Sequence, residues 1–415
     1  MKKVLLKRIA SYALAVFMLA AAFGCGNESG DGGGGALLDG EVKLEEIDVS
    51  GKTVLVSSSQ SASTLAVPSA MSAMDTEYTA RDKDIGYDEA TATKIELQGT
   101  TAKITGEGAK VNGGDITILA DGTYIVTGTL DDGTIFVDAP DTAKIQLVFA
   151  GVTIKCSDFA AIFVKEADKV FITLAEGTVN TLTDGVIYTL TEENSVVAGE
   201  QKNVDAVIFS RADLTINGTG TLNVIGNYKH AVVSKDDLVI TGGTINVTAP
   251  NGGLYGSDSV KIGGGTISVS AGSDGIRADN NTRSDRGFVY IDGGSIVISA
   301  GSDGIQAATA IFIEGGTTLL SAQKRPLKCG YVAQINGGTL AGFGTEFDCP
   351  VGSTSSQPNV VFMLTPPVGE NDSLALAKSG ETKSIATFKS LRPASVLFFT
   401  TPGLESGAEY ALYKN

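Results

Sequence analysis

The chain has 415 residues, a formal net charge of −16, 42 % hydrophobic residues and no tryptophan. That acidity argues against nucleic acid as a partner. Four cysteines with no Cys-x-x-Cys spacing and a single histidine exclude zinc-finger patterns and dense His-Cys clusters for a transition metal.

At the N-terminus, Lys2-Lys3 and Lys7-Arg8 precede an apolar run from Ala10 to Phe23 that ends in Gly24-Cys25. This is the pattern of a secretory signal, residues 1–25, and the run falls short of the roughly 20 residues that span a bilayer. Ala22-Phe-Gly-Cys resembles a bacterial lipobox, with Ala22 where Leu is usual, so Cys25 is the expected lipidated first residue of the mature chain. Losing the four basic residues makes that chain more acidic still. Residues 26–77 begin with a Gly-rich stretch and continue with short apolar patches between Ser-rich segments. They are expected to form a flexible tether and linker that contributes at most an edge strand.

From about Lys94 the β pattern is dense, with Asp-Gly and Asn-Gly turns. Lys144-Ile-Gln-Leu-Val-Phe is echoed by Lys169-Val-Phe-Ile-Thr-Leu 25 residues later. Five copies of a Gly-Gly pattern then follow: Thr241-Gly-Gly-Thr-Ile, Gly263-Gly-Gly-Thr-Ile, Asp292-Gly-Gly-Ser-Ile, Glu314-Gly-Gly-Thr-Thr and Asn336-Gly-Gly-Thr-Leu. Their steps are 22, 29, 22 and 22 residues, the longer one carrying an insertion within Asp279–Arg286. Units this short, alternating with period two and rich in Gly, Thr, Val and Ile, predict an all-β fold: a right-handed parallel β-helix over residues 78–349. In register, Ile240, Ile262, Ile291, Ile313 and Ile335 form one inward column, and Leu254, Ile276, Ile305 and Leu327 form another. The repeat stops near Pro350, and residues 350–415 read as a small C-terminal β cap closing the last exposed coil.

Asp121-Gly-Thr-Tyr-Ile-Val-Thr-Gly-Thr-Leu, Val204-Asp-Ala-Val-Ile-Phe-Ser, Ser234-Lys-Asp-Asp-Leu-Val-Ile-Thr-Gly-Gly and the Gly-Ser-Asp-Gly-Ile motifs at Gly272 and Gly301 together carry a resemblance. From Tyr78 to Tyr413 the chain resembles bacterial carbohydrate-binding proteins related to the polygalacturonate- and cellulose-binding β-helix of cellulolytic clostridia, whose fold is pectate-lyase-like. The resemblance implies a polysaccharide partner, a cell-surface location and calcium held by stacked Asp-Gly-Ile carboxylates, a ligand set suited to that ion. Here that column reads His230, Gly252, Asp274, Asp303, Arg325. Asp274 and Asp303 are its remaining metal candidates, with Asp279 or Asn280 of the insertion to complete a site; as plain Asp-Gly turn residues they need no ligand. Arg81, Asp82, Asp84, Asp88, Asp236, Asp237 and Asp258 are weaker metal candidates.

Three positions after that column lie Val233, Tyr255, Arg277, Gln306 and Lys328, expected to point outward in a row about 4.8 Å apart. Arg277 and Lys328 suit uronate carboxylates, Tyr255 a sugar face and Gln306 hydroxyls; the plain alternative is a solvated β face. The expected function is a monomeric, lipid-anchored surface protein that binds acidic plant or microbial polysaccharide, with no catalytic residues. A pectate-lyase-like eliminase using Arg277, Lys324 or Lys328 as base is the enzyme alternative, and an adhesin or spacer without glycan binding is the third. Cys156 and Cys329 read as small core residues, with a Cys329–Cys349 disulfide open to an exported chain.

Overall fold

The computed structural model describes residues 38–191, 196–197, 200–201 and 203–414. The expected signal segment, Cys25 and the Gly-rich start of the tether lie outside the described residues. The protein is all-β with parallel sheets, arranged as three long arrays. In the first, Lys169–Leu174, Asp213–Gly218, Asp237–Ile240, Ser259–Ile262, Phe288–Ile291, Ile311–Ile313 and Ala333–Ile335 pair in parallel. A second array runs in the same way from Val179–Thr183 through Thr244–Ala249 to Thr339–Gly344. The third is a ten-stranded sheet reaching from Ala109–Asn112 to Leu327–Cys329.

Alternation makes the interior. Ile240 pairs with Ile262, and the same register continues to Ile291, Ile313 and Ile335. Leu254, Ile276, Ile305 and Leu327 stack likewise, and these residues belong to one continuous apolar core. No repeat could bury its own apolar side, so each is stabilised by its neighbours. The Gly-Gly turns stack just as closely. A Cβ at Gly293, Gly315 or Gly337 would collide with the carbonyl oxygen of Gly263, Asp292 or Glu314 in the turn before. The second glycine of each pair adopts a positive φ, from 72° at Gly338 to 93° at Gly265, which a side chain would strain.

Residues 38–77 are not the flexible linker expected from their composition. Val42–Lys43 pairs with Thr387 and Phe388, Thr53–Val56 with Leu412–Lys414, and Thr64–Leu65 with Val351–Gly352. The cap is therefore built from both ends of the chain. It closes the last repeat, where Val396–Thr400 pairs antiparallel with Leu340–Gly344. Short apolar patches too sparse to form a core alone are thus buried against a core made elsewhere.

Coverage of the arrays decides where a ligand can reach. A strap from Met71 to Gly86 crosses the first array: Met71 and Met74 pack with Phe288 and Val332, Lys261 Nζ donates to the Glu77 carbonyl at 2.9 Å, and Tyr78 Oη donates to Asp292 at 2.7 Å. The helix Ala80–Lys83 starts with a Thr79–Asp82 capping box. Asp82, 1 % exposed, holds Lys169 at 2.8 Å and Thr215 at 2.6 Å. On the second array the cap packs over Val297 and Leu319. The ten-stranded sheet carries neither cover.

Candidate functional site

The outward row of the ten-stranded sheet is longer than the sequence suggested. Register links Thr117, Phe136, Phe163, Phe209, Val233, Tyr255, Arg277, Gln306 and Lys328, one per strand. Tyr255, Arg277, Gln306 and Lys328 are the four residues singled out as sugar contacts, and they stand side by side. The row's aromatic half went unnoticed, although Ile135-Phe, Ile162-Phe and Ile208-Phe occupy the same place as Leu254-Tyr and Ile276-Arg. Irregular spacing in the early repeats hid that signal.

The row divides into three parts. In the middle, Phe163, Phe209 and Val233 are covered by Phe159, Tyr188 and Val204. Tyr188 stacks on Tyr228 with centroids 4.5 Å apart, and its hydroxyl lies 2.7 Å from Asp184 Oδ2. At the N-terminal end, a cavity of about 560 Å³ is lined by Lys110, Phe136, Asp138, Asp158, Phe159 and Lys165, among others. At the C-terminal end the row is half-exposed, with no cover among the described residues. His230 and Tyr255 lie 4.7 Å apart, and Arg277 lies over the Tyr255 ring at 5.5 Å. Lys328 Nζ donates to Gln306 Oε1 at 3.3 Å. Burial and the Asp274 charge push the Tyr255 phenol up to about 12, so it is a hydrogen-bond donor rather than a base. Burial pushes His230 down despite Asp205, and its Nδ1 accepts the Gly252 N–H at 3.1 Å. It is a neutral residue at the start of the strand His230–Ser234.

The aspartate column meets this row directly. Asp274 and Asp303 are 3 % and 1 % exposed. Asp274 lies 3.4 Å from Arg277 and accepts the Asp303 N–H at 3.1 Å. Asp303 accepts from Arg325 Nε at 3.0 Å and holds Lys328 at 3.4 Å. Asp279 binds Arg277 at 3.7 Å and Ser257 Oγ at 3.2 Å. All three carboxylates nominated for calcium are therefore engaged by cations of the protein itself, and they do not fit a calcium shell, which needs several free oxygens. Among the described residues no group of three or more His, Cys, Asp or Glu is placed to hold a metal.

The insertion also turns elsewhere. Asn280 donates to Asp258 at 2.5 Å, and Arg286 pairs with Asp258 and, at 3.5 Å, with Asp236. Burial and the neighbouring Asp213 and Asp237 push Asp236 up to about 6. Of the weaker metal candidates, Asp82 is paired with Lys169 and Asp237 accepts from Ser259 Oγ at 2.7 Å.

The all-β scaffold of in-register parallel ladders is consistent with a polysaccharide lyase-like fold. A polysaccharide lyase-like protein from C. thermocellum, solved as a gadolinium derivative, superposes with a TM-score of 0.55 at 35 % identity, over 58 % of this chain and 96 % of that one. A family model for carbohydrate-binding domain-containing proteins matches residues 112–354, and the chain belongs to that family. A carbohydrate-binding domain-containing protein of Acetivibrio thermocellus is 37 % identical over 143 residues, 34 % of this chain. The match spans about half of that relative, 48 % of its length.

Proposed function

We propose that this chain is a lipid-anchored protein of the bacterial cell envelope whose right-handed parallel β-helix binds a polysaccharide along the open row Tyr255, Arg277, Gln306 and Lys328. The observation that carries the reading is coverage: strap and cap overlie the outward sides of the other two arrays, while among the described residues neither overlies this end of the ten-stranded sheet. Tyr255 offers the edge of a ring flanked by His230 and Arg277, Gln306 an amide, and Arg277 and Lys328 charged donors, at strand spacings of about 4.8 Å. Membership of a carbohydrate-binding family and a lyase-like neighbour support a glycan as partner.

The pairing of Arg277 and Lys328 with Asp274, Asp279 and Asp303 bears on which glycan. Each cation already has an internal counter-ion, so a uronate must compete for it, and a neutral chain loses little. Binding is therefore expected to tolerate neutral glycans and to proceed without calcium. The same pairs count against an eliminase, because Arg277 and Lys328 are held as counter-ions rather than as bases. Calorimetry of the protein with polygalacturonate and with cello-oligosaccharide, in calcium and in chelator, tests this while ultraviolet absorbance is followed. Heat that survives chelator without new absorbance is expected. Growth of an unsaturated product would replace binding with lyase activity, and no heat with any glycan would leave a surface spacer.

A further inference from the structure

Cys329 ends the strand Leu327–Cys329, and Cys349 precedes Val351, which pairs with Ala333 of the last repeat. Their sulfur atoms lie 2.9 Å apart as thiols. We propose that Cys329 and Cys349 form a disulfide in the exported protein. Cys156, the third described cysteine, sits apart beside Thr134 at 3.5 Å. This inference stands independently of the carbohydrate reading.

Three observations support it. The sulfurs need approach by only about 1 Å to reach bonding distance. The residue before each cysteine belongs to one ion-pair array: Lys328 binds Asp303 at 3.4 Å, Asp303 binds Arg325 at 3.0 Å, and Arg325 binds Asp348 at 3.4 Å. That array links the two segments that carry the cysteines. Finally, an N-terminal signal pattern directs the chain to compartments where disulfides persist.

The chemistry closes with an external disulfide such as oxidised glutathione as electron acceptor. The partly exposed Cys329, as thiolate, attacks one glutathione sulfur and releases one glutathione thiol. Cys349 Sγ then attacks the Cys329 sulfur of the mixed disulfide and expels the second. Two protein thiols lose two hydrogens, and the oxidant gains them. Cys349 is buried whereas Cys329 is partly exposed, so the oxidant reaches Cys329 first; the Cys329 sulfur and burial also hold the Cys349 thiol well above its ordinary range. The bond would fasten the residue after Lys328 to the residue after Asp348, locking the open end of the row to the closing segment.

The test uses the full chain, purified without reductant, exposed to oxidised glutathione, and denatured in iodoacetamide. A protease that cuts after glutamate separates the cysteines, because Glu346 lies between them. Fragments 315–346 and 347–370 are expected to travel as one linked species that reductant separates, with Cys156 alkylated in both samples. Recovery of Cys329 and Cys349 each carrying its own alkyl group, even after the oxidant, would overturn the proposal. As a second measurement, Cys329→Ser should abolish the response of the melting temperature to reductant. A response that persists in the variant would place the redox effect elsewhere and also count against it.

Discussion

Replacing Asp303 by asparagine separates the two roles open to this column. Asp303 is 1 % exposed and accepts from Arg325 at 3.0 Å, with Lys328 at 3.4 Å. At an effective dielectric of about 20, the nearer pair alone is worth roughly 5 kcal/mol before desolvation is counted. Arg325 keeps Asp348 at 3.4 Å, Lys328 can turn to water, and the amide oxygen still accepts one bond. The net loss is therefore about 3 kcal/mol, toward the low end for breaking a buried pair, or roughly 4 °C in Tm for a chain of this length. Binding should move the opposite way. Lys328, released from its counter-ion, becomes available to a uronate, so affinity for polygalacturonate rises while affinity for a neutral glucan changes little. Thermal melts and calorimetry on one sample read both effects. A calcium ligand would behave differently: wild-type Tm would rise with calcium, and Asp303→Asn would lose that rise together with uronate binding. That outcome would refute the ion-pair account of the column.

Tyr255→Ala removes the ring edge and the cation–π partner of Arg277, and should weaken glycan binding roughly tenfold by calorimetry, with polygalacturonate and glucan affected alike. Asp82→Asn leaves Lys169, whose side chain is 11 % exposed, without its charge partner. A cost of about 3–5 kcal/mol is expected, and limited trypsin digestion should show faster cleavage after Arg81 and Lys83 as the strap loosens. Asp236→Asn should stabilise the protein near neutral pH. Burial and the carboxylates of Asp213 and Asp237 raise Asp236 from 3.8 to about 6, so the folded protein holds its proton more tightly than the unfolded chain. The ionised form above about pH 6 costs stability that is regained as pH falls toward 3.8. The side chain is 47 % exposed, and screening reduces the gain to about 1 kcal/mol. Melts at pH 7.5 should show it and melts near pH 4 should not.

Regular repetition made part of this structure legible. The isoleucine column at Ile240, Ile262, Ile291, Ile313 and Ile335 could be written down because each residue precedes a Gly-Gly turn by the same step, and the structure pairs them in that register. Tyr255, Arg277, Gln306 and Lys328 followed from the same bookkeeping. What escaped was everything set by long-range closure. Residues 38–77 show no period because their partners lie some 300 residues away, as in the hydrogen bond from Ala62 N to Asn359. The fate of Asp274 and Asp303 was hidden for a related reason. Family resemblance supplied a metal, whereas the cations that occupy the carboxylates come from the same column, at Arg325, and from the row three residues on.

Stacking explains why that compensation takes this form. In a parallel ladder, residues 22 or 29 positions apart become neighbours about 4.8 Å apart, so two aspartates at equivalent positions face each other in a buried turn. Such a pair survives only if something neutralises it, and a divalent cation or adjacent basic side chains are the physical solutions. Here Arg325 stands next in the column, with Arg277 and Lys328 across it, and Asp279 and Asp348 balance the excess at the rim. Fixed cations differ from a bound ion in one functional respect: they cannot be removed by a chelator and need not be shared with the ligand. If the row is the glycan surface proposed above, it keeps its shape in calcium-poor surroundings, and its selectivity is expected to rest more on Tyr255 and Gln306 than on charge.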